Sequence, residues 1–266
     1  MGALEFVTGR RPANGIAAAV FDFDGTISTL RCGWETVMRP LMLEMITGGG
    51  EPDEALVREV DDYIDASTGI QTVYQMQWLA DRVVLAGGER RDAWFYKDEY
   101  NRRLMEKVAE KKRAVETGAA PKDDYRIAGA VAFLDALRAA GVRLYLASGT
   151  DHRDVVKEAA LLGVADRFDV IAGAPERMAA CSKEAVLKML FEEQALPADR
   201  LLVVGDGKVE IALGRAAGAY TLGAATDEAA LHGVNEIQRR RLLAAGADAI
   251  CGDFSALDEL LSWLTR

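Results

Sequence analysis

The sequence predicts an α/β protein: a parallel sheet covered by helices, with a mainly helical block inserted after the first core strand. Two observations carry this. Short apolar runs that end in Gly, Asp, Ser or Thr alternate with amphipathic segments, at 16–21, 142–147, 168–172 and 201–204, and more weakly at 219–222 and 247–250. Such alternation implies strand–helix–strand crossovers and a parallel sheet. Between residues 28 and 125 the rhythm stops, and helical stretches at roughly 33–46, 53–66, 70–86 and 91–116 take its place.

The first run, Ile16 to Phe21, reads as a buried strand and leads straight into Asp22-Phe23-Asp24-Gly25-Thr26. The helical block that follows is punctuated by Thr47-Gly48-Gly49-Gly50-Glu51-Pro52, by Gly87-Gly88 and by Gly118-Ala119-Ala120-Pro121. Pro40 predicts a kink or a division in its first helix. Helices at 127–140, 152–162, 183–194 and 208–217 then separate the remaining strands. Gly141, Gly163 and Gly218 stand just past three of them, where a left-handed C-cap sits. The chain shows no internal repeat and no low-complexity tract.

With 266 residues, half of them apolar, the chain has the means for a substantial core. Its net charge of -10 argues against a general nucleic-acid or anionic membrane surface, while leaving room for a local basic pocket. Cys32, Cys181 and Cys251 form no CxxC or paired spacing, which suits a reduced cytosolic setting. The apolar stretch after Arg10-Arg11 is too short for a signal core, and no run of about 18 apolar residues exists to span a membrane. The expectation is a cytoplasmic protein.

In an open parallel sheet, ligands bind outside the carboxyl ends of the strands. The first run is followed by Asp22, Asp24 and Thr26, the second by Ser148-Gly149-Thr150, and the run at 201–204 by Gly205-Asp206-Gly207 with Glu210 a turn later. Lys183 opens the helix before that last strand. Oxygen ligands in this number suit Mg²⁺, which takes a few carboxylates, waters and substrate phosphate. The hydroxyls and N–H groups of Ser148-Gly149-Thr150, at a helix start, suit phosphate oxygens. The lysine supplies further positive charge. Each piece has an ordinary structural use as a turn, an N-cap or a solvated helix residue, so the reading rests on their joint placement at successive strand ends. Other chemistries fit less well: there are two histidines, His152 and His232, and no GxSxG elbow, GxGxxG or Walker lysine loop.

DxDGT, then SGT, then a lysine, then GDG followed by an acid resembles the four-motif signature of the haloacid dehalogenase superfamily. The helical insertion directly after DFDGT is similar to its helical-cap branch. The resemblance implies a Rossmann-like α/β core from 1–27 and 126–266, with a cap at 28–125. It implies that Asp22 attacks phosphorus and forms an aspartyl-phosphate. Asp24 would protonate the leaving alcohol and then deprotonate water. Mg²⁺ would be held by Asp22, the Asp24 backbone carbonyl and Asp206, with Glu210 beside them; Ser148, Gly149 and Lys183 would hold the phosphate oxygens. Two departures stand out: Glu210 where many members carry Asp, and Lys208 where a small or polar residue is common. Direct and water-mediated contact of Glu210 with the metal both stay open. Dehalogenases of the superfamily lack the second acid that Asp24 supplies, which favours phosphate esters.

The function expected is that of a Mg²⁺-dependent phosphatase, a monomer or homodimer, acting on a small phosphorylated metabolite of sugar type. A phosphomutase of the same family and a receiver-like phospho-acceptor module are the alternatives; receivers are usually shorter and carry no such insertion. Arg31, Trp34, Tyr74, Gln75 and Trp78 are the candidate substrate contacts of the cap, although aromatics at spacing four on a helix also serve as core. Arg90, Arg91, Arg102 and Arg103 read as a solvated face balancing nearby acids.

Overall fold

The computed structural model describes residues 4–265 apart from 69, 177 and 179–181, so Cys181 lies outside the described residues. In chain order the strands and helices are β1 (Glu5–Phe6), β2 (Ala18–Phe21), α1 (Glu35–Thr47), α2 (Glu54–Ser67), α3 (Thr72–Leu85), α4 (Ala93–Glu116) and α5 (Ala130–Ala139). They continue with β3 (Arg143–Asp151), α6 (His152–Leu161), β4 (Val170–Ala174), α7 (Ser182–Lys188), β5 (Leu201–Gly205), α8 (Lys208–Ala216), β6 (Tyr220–Ala224), α9 (Glu236–Ala245), β7 (Ala249–Cys251) and α10 (Leu257–Leu264). Among the described residues, no helix is long and apolar enough to cross a membrane.

All four residues of β2 are buried, because helices cover both of its faces. Ala19 and Phe21 join the apolar layer that contains Ile127, Phe133, Leu134 and Trp263. Ala18 and Val20 join the opposite layer with Tyr145, Val186, Leu190 and Val203. The sheet order is β1-β7-β6-β5-β2-β3-β4; every pairing is parallel except that of the short β1 with β7. From β2 the chain therefore builds outward through β3 and β4, then crosses back to build β5, β6 and β7 on the other side. The carboxyl end of β2 is the point where strand order reverses, the place at which open α/β sheets bind ligands.

Helices α1–α4 fill the segment between β2 and β3 and pack into an apolar cluster of their own, with Met38, Leu41, Met76, Leu79, Tyr96 and Tyr100 at its centre. Asp53 and Asp92 cap α2 and α4 by accepting from the N–H groups of Leu56 and Phe95. Pro40 neither divides nor ends α1, which runs unbroken through it. Pro40 and Thr36, whose carbonyl the proline leaves without an N–H, both lie on the exposed face, where that carbonyl is open to solvent. Trp78 stacks on Tyr63 at 3.9 Å, so its ring serves packing among the inserted helices.

Two further expectations need correction. The helix expected at 183–194 is α7 followed by a π-helical turn, Met189–Glu193, with Ala195 at φ 49 closing it. Ser148-Gly149-Thr150 does not start a helix; β3 stays extended to Asp151 because β4 continues beside it. The register shifts there, β3 taking four residues from Ala147 to Asp151 where β4 takes two from Ala172 to Ala174. Such an irregularity re-aims side chains at a strand end.

Beneath the reversal point, the Phe133 ring stacks on Phe254 at 5.2 Å and meets Phe21 edge-on at 5.9 Å. Phe133→Ala should cost about 3–5 kcal/mol of stability, measured by urea denaturation. A loss below about 1 kcal/mol, the range of well-tolerated core swaps, would show that this layer repacks without it.

Candidate active site

The β2 register sets Phe21 beside Leu146 of β3 and Val204 of β5, so the residues just past it meet those just past its neighbours. The Asp22 N–H extends the ladder by donating to the Val204 carbonyl at 2.9 Å. Asp22 Oδ1 accepts from the Phe23 N–H at 2.9 Å, and Oδ2 accepts from Lys183 Nζ at 2.9 Å. Lys183, 6% exposed, reaches over from α7 and also donates to Glu210 Oε2 at 2.8 Å. Glu210, 3% exposed, uses its other oxygen to accept from the Gly207 N–H at 2.6 Å. A Cβ at Gly205 would fall 2.2 Å from Glu210 Cγ, so only glycine leaves the acid its place.

Asp206 follows β5. Its Oδ1 accepts from Thr26 Oγ1 at 3.2 Å and its Oδ2 from Gln238 Nε2 at 3.0 Å. Gly25, at φ +74, passes so close that a Cβ there would fall 2.4 Å from Asp206 Oδ2. Asp24 has different company: Oδ2 accepts from Thr150 Oγ1 at 2.7 Å and from Ser148 Oγ at 3.4 Å. Its Oδ1 is buried with no hydrogen-bond partner, 4.0 Å from Arg31 Nε. The register shift in β3 turns Ser148 and Thr150 toward this acid, and Gly149 lines the cavity with open space where a side chain would be.

Asp22, Asp206 and Glu210 bring one carboxylate oxygen each within 4.8 Å of one another. One ammonium faces three acids. Burial pushes the Asp22 carboxyl up to about 7 against the pull of Lys183, and repulsion from Glu210 and Asp24 adds to the rise. Burial, then repulsion from Asp22 and Glu210, holds Asp206 well above the ordinary range. Asp24 is also raised, by burial and by the nearby Glu158, against the pull of Arg31. Only Glu210 falls below its usual value, because Lys183 and backbone N–H groups outweigh its burial. An all-oxygen set with this surplus of negative charge fits a hard divalent cation. Every carboxylate oxygen of Asp22, Asp206 and Glu210 already accepts one hydrogen bond, so a cation would use the second lone pair that each oxygen keeps.

A cavity of about 140 Å³ lies between these acids and the inserted helices. Arg31 and Trp34 line it, but Arg31 is committed to the buried Glu158 through two bonds of 2.8 and 3.0 Å. Gln75, 3% exposed, also lines it while its Nε2 donates to Ser67 Oγ at 3.1 Å. Tyr74 does not reach the cavity: it is 48% exposed on the outer side of α3, since its neighbour Gln75 takes the inner face. Lys97, Tyr100 and Asn101 of α4 are among the lining residues that escaped the sequence analysis. Lys97, 7% exposed, donates to Asp151 Oδ1 at 2.5 Å, and Asn101 Nδ2 donates to Asp151 Oδ2 at 3.1 Å. The signal was a lysine standing in the apolar stripe Ala93, Tyr96, Tyr100, Leu104, which a surface lysine would avoid. Arg102 and Arg103 pair with Glu99, Glu106 and Glu44 at the surface, as a balancing face should.

An acid whose value is raised on folding binds its proton more tightly in the folded state, so the stability it contributes is lost as pH rises through the folded value. For Asp22 that window runs from 3.8 to about 7. In metal-stripped protein, Asp22→Asn should therefore gain stability relative to wild type as pH rises through this window, read from denaturation curves of both. A difference independent of pH would show that Asp22 is not the strained acid.

The sequence profile of the haloacid dehalogenase-like hydrolases matches residues 16–218. Among curated proteins, none matches this sequence significantly. Several solved structures are similar in fold. A protein described as a predicted phosphatase from Clostridium acetobutylicum shares 16% identity at a TM-score of 0.60, over 94% of this chain and 100% of that one. CbbY from Rhodobacter sphaeroides, solved with xylulose 1,5-bisphosphate, shares 18% at 0.58, over 91% and 96%. A β-phosphoglucomutase from Clostridium difficile shares 16% at 0.53, over 86% and 98%. With the profile spanning most of the chain, and three strand-end motifs meeting Lys183 of α7 in one site, this protein belongs to the haloacid dehalogenase-like hydrolases.

Proposed function

We propose that the protein is a Mg²⁺-dependent phosphatase that hydrolyses a small phosphomonoester of sugar type through an aspartyl-phosphate. The observation that carries this is the unequal treatment of the two acids after β2. Asp22 lies against an ammonium and beside two further carboxylates, whereas Asp24 is held by hydroxyls and keeps one buried oxygen unpartnered. Environments that separate a pair of carboxyls in this way assign one as nucleophile and the other as acid and base.

In this reading an Asp22 oxygen attacks phosphorus and the bond to the leaving oxygen breaks. Protonated Asp24 gives its proton to that oxygen, for which its raised value suits it. Asp24, now ionised, takes a proton from water, whose oxygen attacks phosphorus and releases phosphate and free Asp22. Lys183, Ser148 and the Gly149 backbone hold the equatorial oxygens as charge builds there. Mg²⁺, held by Asp22, Asp206 and the Asp24 backbone carbonyl, would screen the nucleophile from a dianionic phosphoryl group. Glu210 fixes Lys183 at its post.

Residues 28–125 act as a cap that places the leaving group. Among the described residues three cations line the cavity, and each already has an acid: Lys183 has Asp22 and Glu210, Lys97 has Asp151, and Arg31 has Glu158. A second anionic group on the substrate would find no unpaired cation among them. A neutral, hydroxylated leaving group meets Gln75, Asn101, Thr68 and Thr72 instead. This supports a sugar or polyol monophosphate, bound beside the Trp34 face.

Two experiments test the reading. Asp22→Asn and EDTA treatment should each abolish phosphate release from a panel of sugar phosphates, and Mg²⁺ should restore only the treated wild type. Turnover by folded Asp22→Asn protein would end the aspartyl-phosphate mechanism. For the cap, Gln75→Ala or Asn101→Ala should lower kcat/KM on the preferred ester by roughly ten- to a hundred-fold, about 1–3 kcal/mol. The loss on p-nitrophenyl phosphate should be far smaller, and Tyr74→Ala should change neither. Equal losses on both substrates would mean that these side chains only pack the cap.

A further inference from the structure

Among the acids of the carboxylate triad, Asp206 has the least conspicuous support. Glu210 is fixed by Lys183 and Gly207, and Asp22 by Lys183 and the Phe23 N–H, all from motif residues or their neighbours. Asp206 draws half of its support from beyond residue 218, where the family profile ends. Gln238, on the first turn of α9, donates from Nε2 both to Asp206 Oδ2 at 3.0 Å and to the Asp206 backbone carbonyl at 3.1 Å.

We infer that Gln238 is a positioning residue for the metal-binding carboxylate, which makes α9 part of the active site. The inference rests on the metal reading given above. The geometry is specific in three respects. Both partners of the amide are oxygens, so the nitrogen must face them, and both of its hydrogens are used. Because one bond goes to the main chain and the other to the side chain of the same residue, the amide straddles Asp206 and fixes its rotamer. Thr26 Oγ1 holds the other oxygen, and the Gly25 backbone passes close to Oδ2, so the carboxylate is clamped between two donors and a backbone.

The neutrality of the donor matters as much as its position. A lysine or arginine at 238 would hold the carboxylate equally well but would neutralise it, competing with the cation for the same charge. An amide orients Asp206 and leaves its charge available. Partners of this outer kind commonly contribute 10- to 100-fold to metal affinity, by roughly that order.

The helix is well placed to give a rigid anchor. Asn235 caps it, accepting from the N–H groups of Ile237 and Gln238 at 3.1 and 3.2 Å, and the Asn235 N–H is tied to the Ala225 carbonyl at 2.8 Å. Leu242 is buried against Gly223 of β6, and Arg239 forms a two-bond pair with Glu5 at 2.6 and 2.8 Å. One turn beyond Gln238, Arg241 pairs with Asp65 at the end of α2, without touching Asp206.

The test is calorimetric titration of MgCl₂ into EDTA-stripped, full-length protein, with no substrate present. Gln238→Leu should raise the Mg²⁺ dissociation constant by roughly 10- to 100-fold, and Asp206→Ala should abolish the binding heat. Arg241→Ala, on the same helix, should bind as wild type does, which separates positioning of the carboxylate from general loosening of α9. The Mg²⁺-induced rise in melting temperature should shrink in Gln238→Leu in step with affinity. Should the leucine variant fail to fold by circular dichroism, Gln238→Asn, whose amide stops one methylene short, gives the same readout. Binding by a folded Gln238 variant within about twofold of wild type, while Asp206→Ala has lost it, would overturn the inference, since outer partners act on a larger scale. Absence of Mg²⁺ binding by wild type would instead overturn the metal reading itself, and this inference with it.

Discussion

Lys183 Nζ, 2.9 Å from Asp22 and 2.8 Å from Glu210, is the interaction on which the site is built. Burying a carboxylate without a counter-charge is costly, and this sheet edge buries several together. The ammonium offsets part of the cost and is itself confined, since the two acids raise its affinity for its proton. Much of the surrounding sequence follows from making room for this cluster. Gly205 and Gly25 are glycines because Glu210 and Asp206 occupy the space a Cβ would need. Thr26 is fully buried because its hydroxyl serves Asp206. The reversal of strand order at β2 is what lets α7, α8 and the strand ends converge on one point at all.

Residues of one type thus do different work according to their neighbours. Asp22 and Asp24 are two positions apart on the same strand extension, yet one faces an ammonium and the other faces hydroxyls. The repulsion left uncompensated by Lys183 is not a defect of the fold. Under the proposed function it is stored at the place where a cation and a phosphoryl group would relieve it.

The core was legible in the sequence because a strand buried on both faces leaves a continuous apolar run, and because the motif residues follow such runs directly. Even the weak runs at 219–222 and 247–250 are β6 and β7. What could not be read were features that depend on register or on contacts distant in sequence. The extension of β3 to Asp151 arises from pairing with β4, so Ser148-Gly149-Thr150 had the local look of a helix start. Tyr74 and Gln75 are adjacent, and which of them turns inward is decided by how α3 packs against α4. Gln238 stands in a polar stretch, QRRR, and nothing local marks it out. Lys97 did leave a trace, as the one charged residue in a buried helical stripe.

That lysine shows how the inserted helices and the core are held in one arrangement. Placing an ammonium on the buried face of α4 would disfavour the helix unless an acid met it, and Asp151 meets it from the end of β3. Asn101, one turn along, takes the other oxygen, so the carboxylate is oriented as well as neutralised. The same irregular strand end therefore serves two ends of the cavity. Ser148 and Thr150 turn toward Asp24, the acid and base of the proposed function, while Asp151 turns toward α4, which bounds the cavity. A shift of the inserted helices that broke the Lys97–Asp151 pair would reach Asp24 through three residues of extended chain. Under the proposed function, the placing of the inserted helices and the setting of that acid are coupled, because a single bulged strand carries both.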